Sequence, residues 1–170
     1  LTAQAVTVIS DEASCTAAGG NYTPGGADPD CGIFGYTVAV GDTLEIGMEV
    51  IFTGGFTING VLNERPGGHI SVFEPLSNTG TINLNDEVRI LGSSVANSGT
   101  INSGTININN GGFLYLVRRV TFTNDGTINI NSGGKLGNVF SLTNNNLINL
   151  DCGGSYLGGG AFSGNPIVNL

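Results

Sequence analysis

One short pattern recurs along the second half of the chain, and its spacing restricts the fold more than any other feature. The pattern occurs as GTINLN at 80–85, GTININ at 104–109 and 126–131, and NLINLD at 146–151. Its central apolar residue serves as an anchor, and similar segments extend the series at intervals of 20–24 residues. The anchors are Val38, Ile58, Ile82, Ile106, Ile128, Ile148 and Val168. A period of this length is typical of repeat architectures.

Each period contains two further β-like patches, separated from the first by Gly, Asn and Ser. The second patch includes Ile90, Leu114, Leu136 and Tyr156, and the third includes Val95, Val120–Phe122, Phe140–Leu142 and Phe162. Three short strands per period describe one coil of a parallel β-helix. A left-handed β-helix prefers hexapeptide repeats that sum to about 18 residues per coil, so the longer, variable period favours the right-handed form.

We therefore predict an all-β, right-handed parallel β-helix of six to seven coils, with 20–24 residues and three strands per coil. The helix covers 36–170, and 1–35 forms an N-terminal strand and loop that caps the first coil or pairs with another subunit. Of these two roles we favour the strand added to a neighbour.

The alternation within the pattern assigns its side chains to two sides of the strand. In TININ at 127–131, Ile128 and Ile130 point to the core, whereas Thr127, Asn129 and Asn131 point outward or lie at corners. Stacked coils then form columns of Ile inside, and corner Asn residues either turn the chain or form side-chain ladders with the coils above and below. Glycines supply the corners between strands.

NSGTINSGTININNGG and NDGTININSGG resemble the Asn, Gly, Thr and Ile-rich repeats of secreted right-handed β-helix proteins, including adhesins and surface fibres. VGDTLEIGMEVIF at 40–52 is similar to the entry coils of pectate-lyase-like domains. The resemblance covers about 36–170. It implies the fold, but it is only weakly specific for function, because lyases, tailspikes, adhesins and ice binders share this scaffold.

The distribution of charged residues argues against an enzyme. Residues 88–170 contain only two acids, Asp125 and Asp151, and His69 is the only histidine. Asp86 with Glu87, or Glu45 with Glu49, are candidate acid pairs that we interpret as solvated charges. We expect no catalytic residues, no metal site and no cofactor.

DPDCG at 28–32 lacks the spacing and the distal acid of a calcium loop. With five basic against thirteen acidic residues, nucleic acid is disfavoured as a partner.

Several features predict a secreted protein at the cell surface. The chain begins at Leu1 without a basic, apolar leader, which we interpret as a mature product after signal removal. No apolar run is long enough to span a membrane. Cys15 and Cys31 flank a glycine-rich loop and are expected to form a disulfide. Cys152 is expected to be buried or bonded to another chain. Asn21 in NYT is a glycosylation candidate.

Charge and the last coil together favour self-assembly. Residues 1–87 carry eleven acids and one arginine, a formal charge of −10, whereas 88–170 carry two acids and four basic residues, a charge of +2. NPIVNL matches the first strand of a further coil, whose unpaired edge is a template for another strand. We expect a structural subunit that stacks head to tail into an extracellular filament, with itself as the main partner. The candidate interface residues are Val6, Val8, Arg118, Arg119, Ile148, Leu150, Phe162, Ile167, Val168 and Leu170.

The alternatives place a binding function on the same coils. An adhesin or carbohydrate-binding module would bind surface glycans through outward Asn, Thr and Tyr rows, but the chain has four Tyr and no Trp. An ice-binding protein would use a row of Thr81, Thr105 and Thr127, which Leu147 interrupts. A polysaccharide lyase or hydrolase is disfavoured because acids are scarce.

Overall fold

The structure is a computed structural model that describes residues 4–24, 29–73, 75–91, 99–102, 104–117, 121–138 and 141–170. It contains one short helix and 21 strands. Their bounds are β1 Val6–Ile9, α1 Glu12–Ala17, β2 Asn21–Thr23, β3 Asp30–Val38, β4 Thr43–Ile46, β5 Glu49–Ile58, β6 Val61–Glu64, β7 His69–Val72, β8 Leu76–Asn78, β9 Thr81–Leu84, β10 Glu87–Leu91, β11 Gly99–Asn102, β12 Thr105–Ile108, β13 Phe113–Val117, β14 Thr121–Asn124, β15 Thr127–Ile130, β16 Lys135–Asn138, β17 Ser141–Asn144, β18 Leu147–Leu150, β19 Ser155–Gly158, β20 Ala161–Gly164 and β21 Val168–Asn169.

The strands form a parallel β-solenoid of about six turns, which confirms the predicted fold class. One sheet, here called sheet A, has the strand order β1-β4-β6-β9-β12-β15-β18-β21. The second sheet, sheet B, holds the other two strands of each coil, and β3 and β5 each run through both of these positions. Each coil therefore contributes three strand segments, as the sequence predicted.

The strands form where apolar and polar residues alternate, and the alternation builds the core. Ile128 and Ile130 are fully buried, whereas Thr127 and Asn129 between and beside them are half-buried on the outer side. The same pattern of burial repeats in β9, β12 and β15. The corner after sheet A recurs as a glycine with positive φ, at Gly111, Gly133 and Gly153, a conformation that favours glycine.

The pairing corrects the anchors that the sequence suggested for the first and last coils. The inward column through Ile82 runs from Leu44 and Leu62, not from Val38 and Ile58. Val38 and Ile58 pair with each other in sheet B instead. At the other end, Val168 lies opposite Asn149 rather than Ile148, so the predicted register is wrong by one residue. Similarly, Val88 rather than Ile90 lies beside Leu114.

The N-terminal segment pairs with its own solenoid. β1 runs parallel to β4 with Val6 opposite Thr43, so the strand that we expected to pair with a neighbour is the first strand of its own sheet A. β2 pairs antiparallel with the first part of β3 and ends the parallel stacking of sheet B. The helix α1 lies between them in sequence, and a disulfide joins its buried Cys15 to Cys31 of β3.

Candidate functional site

The last coil leaves one end of the solenoid core partly uncovered. Phe122, Leu142 and Phe162 lie in one inward column of sheet B, and the first two are fully buried. Phe162, at the end of that column, is 37% exposed. Each coil covers the core side chains of the coil before it, and among the described strands none lies beyond β19, β20 and β21.

The last coil, which contains β21, also carries further apolar side chains that are exposed or half-buried. We call this surface the C-terminal face. Its members are Leu157, Phe162, Ile167, Val168 and Leu170. Val168 is 41% and Leu170 is 74% exposed, whereas Ile167 packs in part against the core. The surface includes four of the residues that the sequence suggested as an interface.

Other interface candidates have different positions. Ile148 is fully buried, so it cannot contact another molecule, because β21 already lies above it. Leu150 is half-buried against the core. Arg118 and Arg119 lie outside the described residues.

The opposite end of the solenoid is closed. Ile9, Cys15 and Cys31 are fully buried, and Tyr22 of β2 packs on the same core cluster. The strand β1 remains accessible at this end. Val6 is 60% exposed and Val8 is half-buried, and both point outward because Thr7 and Ile9 share the inward columns of Leu44 and Ile46. The two ends are thus different, since one has a cap and the other has an uncovered coil.

The outer side of sheet A carries a continuous ladder of asparagine amides. Each Nδ2 donates to the Oδ1 of the Asn one coil earlier, at 2.7–2.9 Å. The members are Asn63, Asn83, Asn107, Asn129 and Asn149. Beside the ladder, Thr81, Thr105 and Thr127 form an outward row that ends at Leu147, as the sequence predicted. From β9 to β18 this side of the sheet carries no charged side chain.

Of the acidic pairs that the sequence singled out, Glu45 and Glu49 lie on two different strands, β4 and β5. Glu45 forms an ion pair with Arg65 of the next coil. Glu49 lies opposite His69 on adjacent strands of sheet B. These two residues line an open groove of about 450 Å³, together with Asp86, which accepts a hydrogen bond from the Gly67 N–H at 3.0 Å. The side chain of Glu87 lies outside the described residues.

The groove has limited chemistry among the described residues. His69 begins β7 and is half-buried, and within the part of the chain that the structure describes its Nε2 is buried and has no hydrogen-bond partner. Within the described ranges, no group of three or more His, Cys, Asp or Glu side chains is arranged to hold a metal ion.

Glu64 is a buried acid that sequence reasoning missed. It stands at the inward position of sheet A opposite Ile46, and its side chain is fully buried. Its Oε2 accepts hydrogen bonds from the backbone N–H groups of Asn85 and Asp86, at 3.1 and 2.8 Å. The carboxylate therefore holds the corner of the following coil. The only signal in the sequence is an acid at a position where other coils have Ile or Leu.

Two further candidates have a clear position. Cys152 is exposed in the corner after β18, so the expectation that it is a buried apolar side chain is wrong. Asn21 is exposed at the start of β2, and Thr23 of the same sequon is also exposed.

Among the described residues there is no helix of sufficient length and apolarity to cross a bilayer.

Comparison of the chain with models of protein families, with curated proteins and with solved structures found no match. The assignment of the chain to the parallel β-solenoids therefore rests on the strand pairing in the structure.

Proposed function

We propose that this protein is the structural subunit of an extracellular filament in which β-solenoids stack head to tail. The observation that carries the proposal is the C-terminal face, where Phe162 is 37% exposed although Phe122 and Leu142 of the same inward column are fully buried. Burying a Leu, Val or Phe side chain contributes about 1.5–3 kcal/mol, so covering this face with a second copy stabilises the assembly by several kcal/mol.

The difference between the two ends supports stacking in one direction. A contact between unlike ends does not close on itself and produces an open fibre. The N-terminal half carries a formal charge of −10 and the C-terminal half +2, which favours the meeting of unlike ends over the meeting of like ends. The resemblance of the repeats to secreted surface fibres and adhesins agrees with this use of the scaffold.

Electron microscopy of purified protein tests the proposal. We expect filaments whose formation depends on protein concentration, and loss of filaments in Leu170→Asp, which places a charge on the C-terminal face. Phe73→Asp is the matched control, because Phe73 is 38% exposed but follows β7 in the middle of the solenoid. Uniform monomers of the unmodified chain at high concentration would refute the proposal.

An adhesin or carbohydrate-binding module is the second candidate, favoured by the outward Thr row and Asn ladder of sheet A. Uncharged hydroxyl and amide groups at the spacing of successive coils, about 4.8 Å, suit an extended ligand with many hydroxyl groups. Binding to a glycan array that is lost in Thr105→Val and retained in Thr143→Val, on the other sheet, would support this function.

A further inference from the structure

The two terminal strands of sheet A share a feature that the strands between them lack. One residue of each strand contributes to an outward column that runs in register from Val8 through Glu45 to Asn149 and Val168. All six members between the two ends are polar, one Glu and five Asn. Only the two end members are apolar, and Val168 is 41% exposed. An Asn at position 168 would continue the amide ladder beyond Asn149, whereas Val168 ends it at the edge of the sheet.

The backbone directions of these edges are complementary. Along sheet A, the N–H of each outward residue donates back to the preceding strand, as in Thr105 to Gly80 and Thr127 to Gly104. At the last strand Leu170 donates to Leu150 by the same rule. In parallel pairing the intervening residues face the other way, so the carbonyl of Ile167 and the N–H of Asn169 point to the open edge.

The first strand presents the matching groups. The N–H groups of Thr43 in β4 and of Gly47 directly after it donate to the carbonyls of Ala5 and Ile9, so the N–H and C=O of Val8 face away from β4. Among the described residues, β1 and β21 are the two outer strands of sheet A. Both run in the same direction, because every pairing between them is parallel.

We infer, on the basis of the proposed function, that β21 of one copy pairs in parallel with β1 of a second copy, with Val168 opposite Val8. In this register the Val8 N–H donates to the Ile167 carbonyl, and the Asn169 N–H donates to the Val8 carbonyl. The two Val side chains form a cross-strand apolar pair on the outer side of the junction. Sheet A then continues across subunits with the hydrogen-bond rule that it follows within each subunit.

Cysteine cross-linking tests the register. In a Cys152→Ser background, Val8→Cys and Val168→Cys place two thiols on paired residues, whose Cα separation of about 5 Å suits a disulfide. Within one copy the two sites are the first and eighth strands of sheet A, separated by about 34 Å, so they cannot bond to each other. Mild oxidation should therefore convert the monomer band into a ladder of dimers, trimers and longer species on a non-reducing gel.

Val6→Cys with Val168→Cys is the matched control. Its two Cα atoms would be offset by two residues along the strand and lie about 8 Å apart, beyond the reach of a disulfide, so the monomer band should persist. A charge pair gives an independent measurement. Val168→Asp alone should abolish filaments, and Val8→Lys in the same chain should restore them.

The outcomes separate the inference from the proposal on which it rests. Filaments without a ladder for the Val8 and Val168 pair, or an equal ladder for the Val6 control, would overturn the register and leave the filament intact. Absence of filaments in the unmodified chain would overturn both. Circular dichroism of each variant establishes that the solenoid has folded.

Discussion

The side-chain amide of Asn124 donates a hydrogen bond to Oδ1 of Asn144 at 2.7 Å, and both side chains are fully buried. The two residues occupy equivalent positions at the ends of β14 and β17, where sheet B turns toward sheet A. Asn124 also donates to the carbonyl of Leu147, and Asn144 donates to that of Asn165. Each amide thus links its own coil to the corner of the next one. A polar ladder inside the core fixes the stacking register at the turn.

Asn144→Leu should destabilise the protein although it makes the core more apolar. The substitution removes the acceptor of one Asn124 N–H and the donor to the Asn165 carbonyl. An unsatisfied buried polar group costs about 1–3 kcal/mol. We expect a loss in this range in the free energy of unfolding measured with urea. Asn145→Ala is the control, because Asn145 is exposed, and it should change stability by less than about 0.5 kcal/mol. Equal stability of Asn144→Leu and the unmodified chain would contradict the role of the ladder.

The regular coils could be predicted from the sequence because their local and long-range signals agree. In β9, β12, β15 and β18 the same four-residue pattern recurs, so the register that stacks Ile on Ile also stacks Asn on Asn. In the first coils the local sequence pattern and the strand pairing disagree. Val38 and Ile58 fit the pattern, but β5 is a single ten-residue strand that passes through two positions of the coil, and this shifts the register. Alternation alone does not show at which corner a strand ends.

The ends of the molecule were predicted less well than its middle, for a physical reason. The exposure of a terminal side chain depends on which strand lies above it, and this is decided by pairing over 20 residues or more. Ile148 is covered because β21 lies over it with Ile167 in the next inward position, one residue away from the predicted match. Cys152 has the composition of a core residue but stands in an exposed corner. Glu64 can be buried because backbone N–H groups donate hydrogen bonds to its carboxylate. The sequence alone does not indicate which backbone groups will be available as partners.

Glu64→Leu should destabilise the solenoid more than Glu64→Gln. The glutamine retains a side-chain oxygen that can accept from the N–H groups of Asn85 and Asp86. Leucine continues the apolar column toward Leu84 but leaves both N–H groups without this acceptor, at a cost of about 1–3 kcal/mol for each buried group. Thermal unfolding of the two variants measures the difference. A Leu variant that is as stable as the Gln variant would show that water replaces the carboxylate at this corner.

Gly80→Ala should be among the most damaging single substitutions in the chain. A Cβ at this position would lie 2.0 Å from the carbonyl oxygen of Gly60, the equivalent residue one coil earlier. Because the obstacle is backbone, the two coils would have to separate, and we expect a loss of about 3 kcal/mol in the free energy of unfolding. Gly32→Ala is the matched control, since its Cβ would meet only the Asn21 carbonyl at 3.7 Å. Similar melting temperatures for the two variants would refute the close approach of the coils.

The capping residue of α1 provides a local pH response. The Ser14 side chain, and to a lesser extent the Ser14 backbone N–H, donate hydrogen bonds to Asp11 and hold the pKa of this carboxyl below its ordinary value. Since the folded pKa is lower than the unfolded pKa, the cap stabilises the helix above the unfolded pKa, and this contribution is lost as the pH falls through the folded pKa. Ser14→Ala should raise the pKa of Asp11 in an NMR titration. Thr16→Ala, on an exposed position of the same helix, should leave the titration unchanged.

Reduction of the disulfide should open the capped end of the solenoid. Cys15 and Cys31 are 16 residues apart in sequence, and a disulfide that closes a loop of this size contributes about 3 kcal/mol. Gly20 packs against both sulfurs, because a Cβ there would lie 2.7 and 2.8 Å from them. We therefore expect reductant to lower the melting temperature and to expose the amides of Ile9 and β2 to hydrogen exchange, while the later coils stay protected. Cys152→Ser should behave as the unmodified chain does, with and without reductant, because Cys152 is exposed. Uniform exchange along the whole solenoid after reduction would contradict a cap that acts locally.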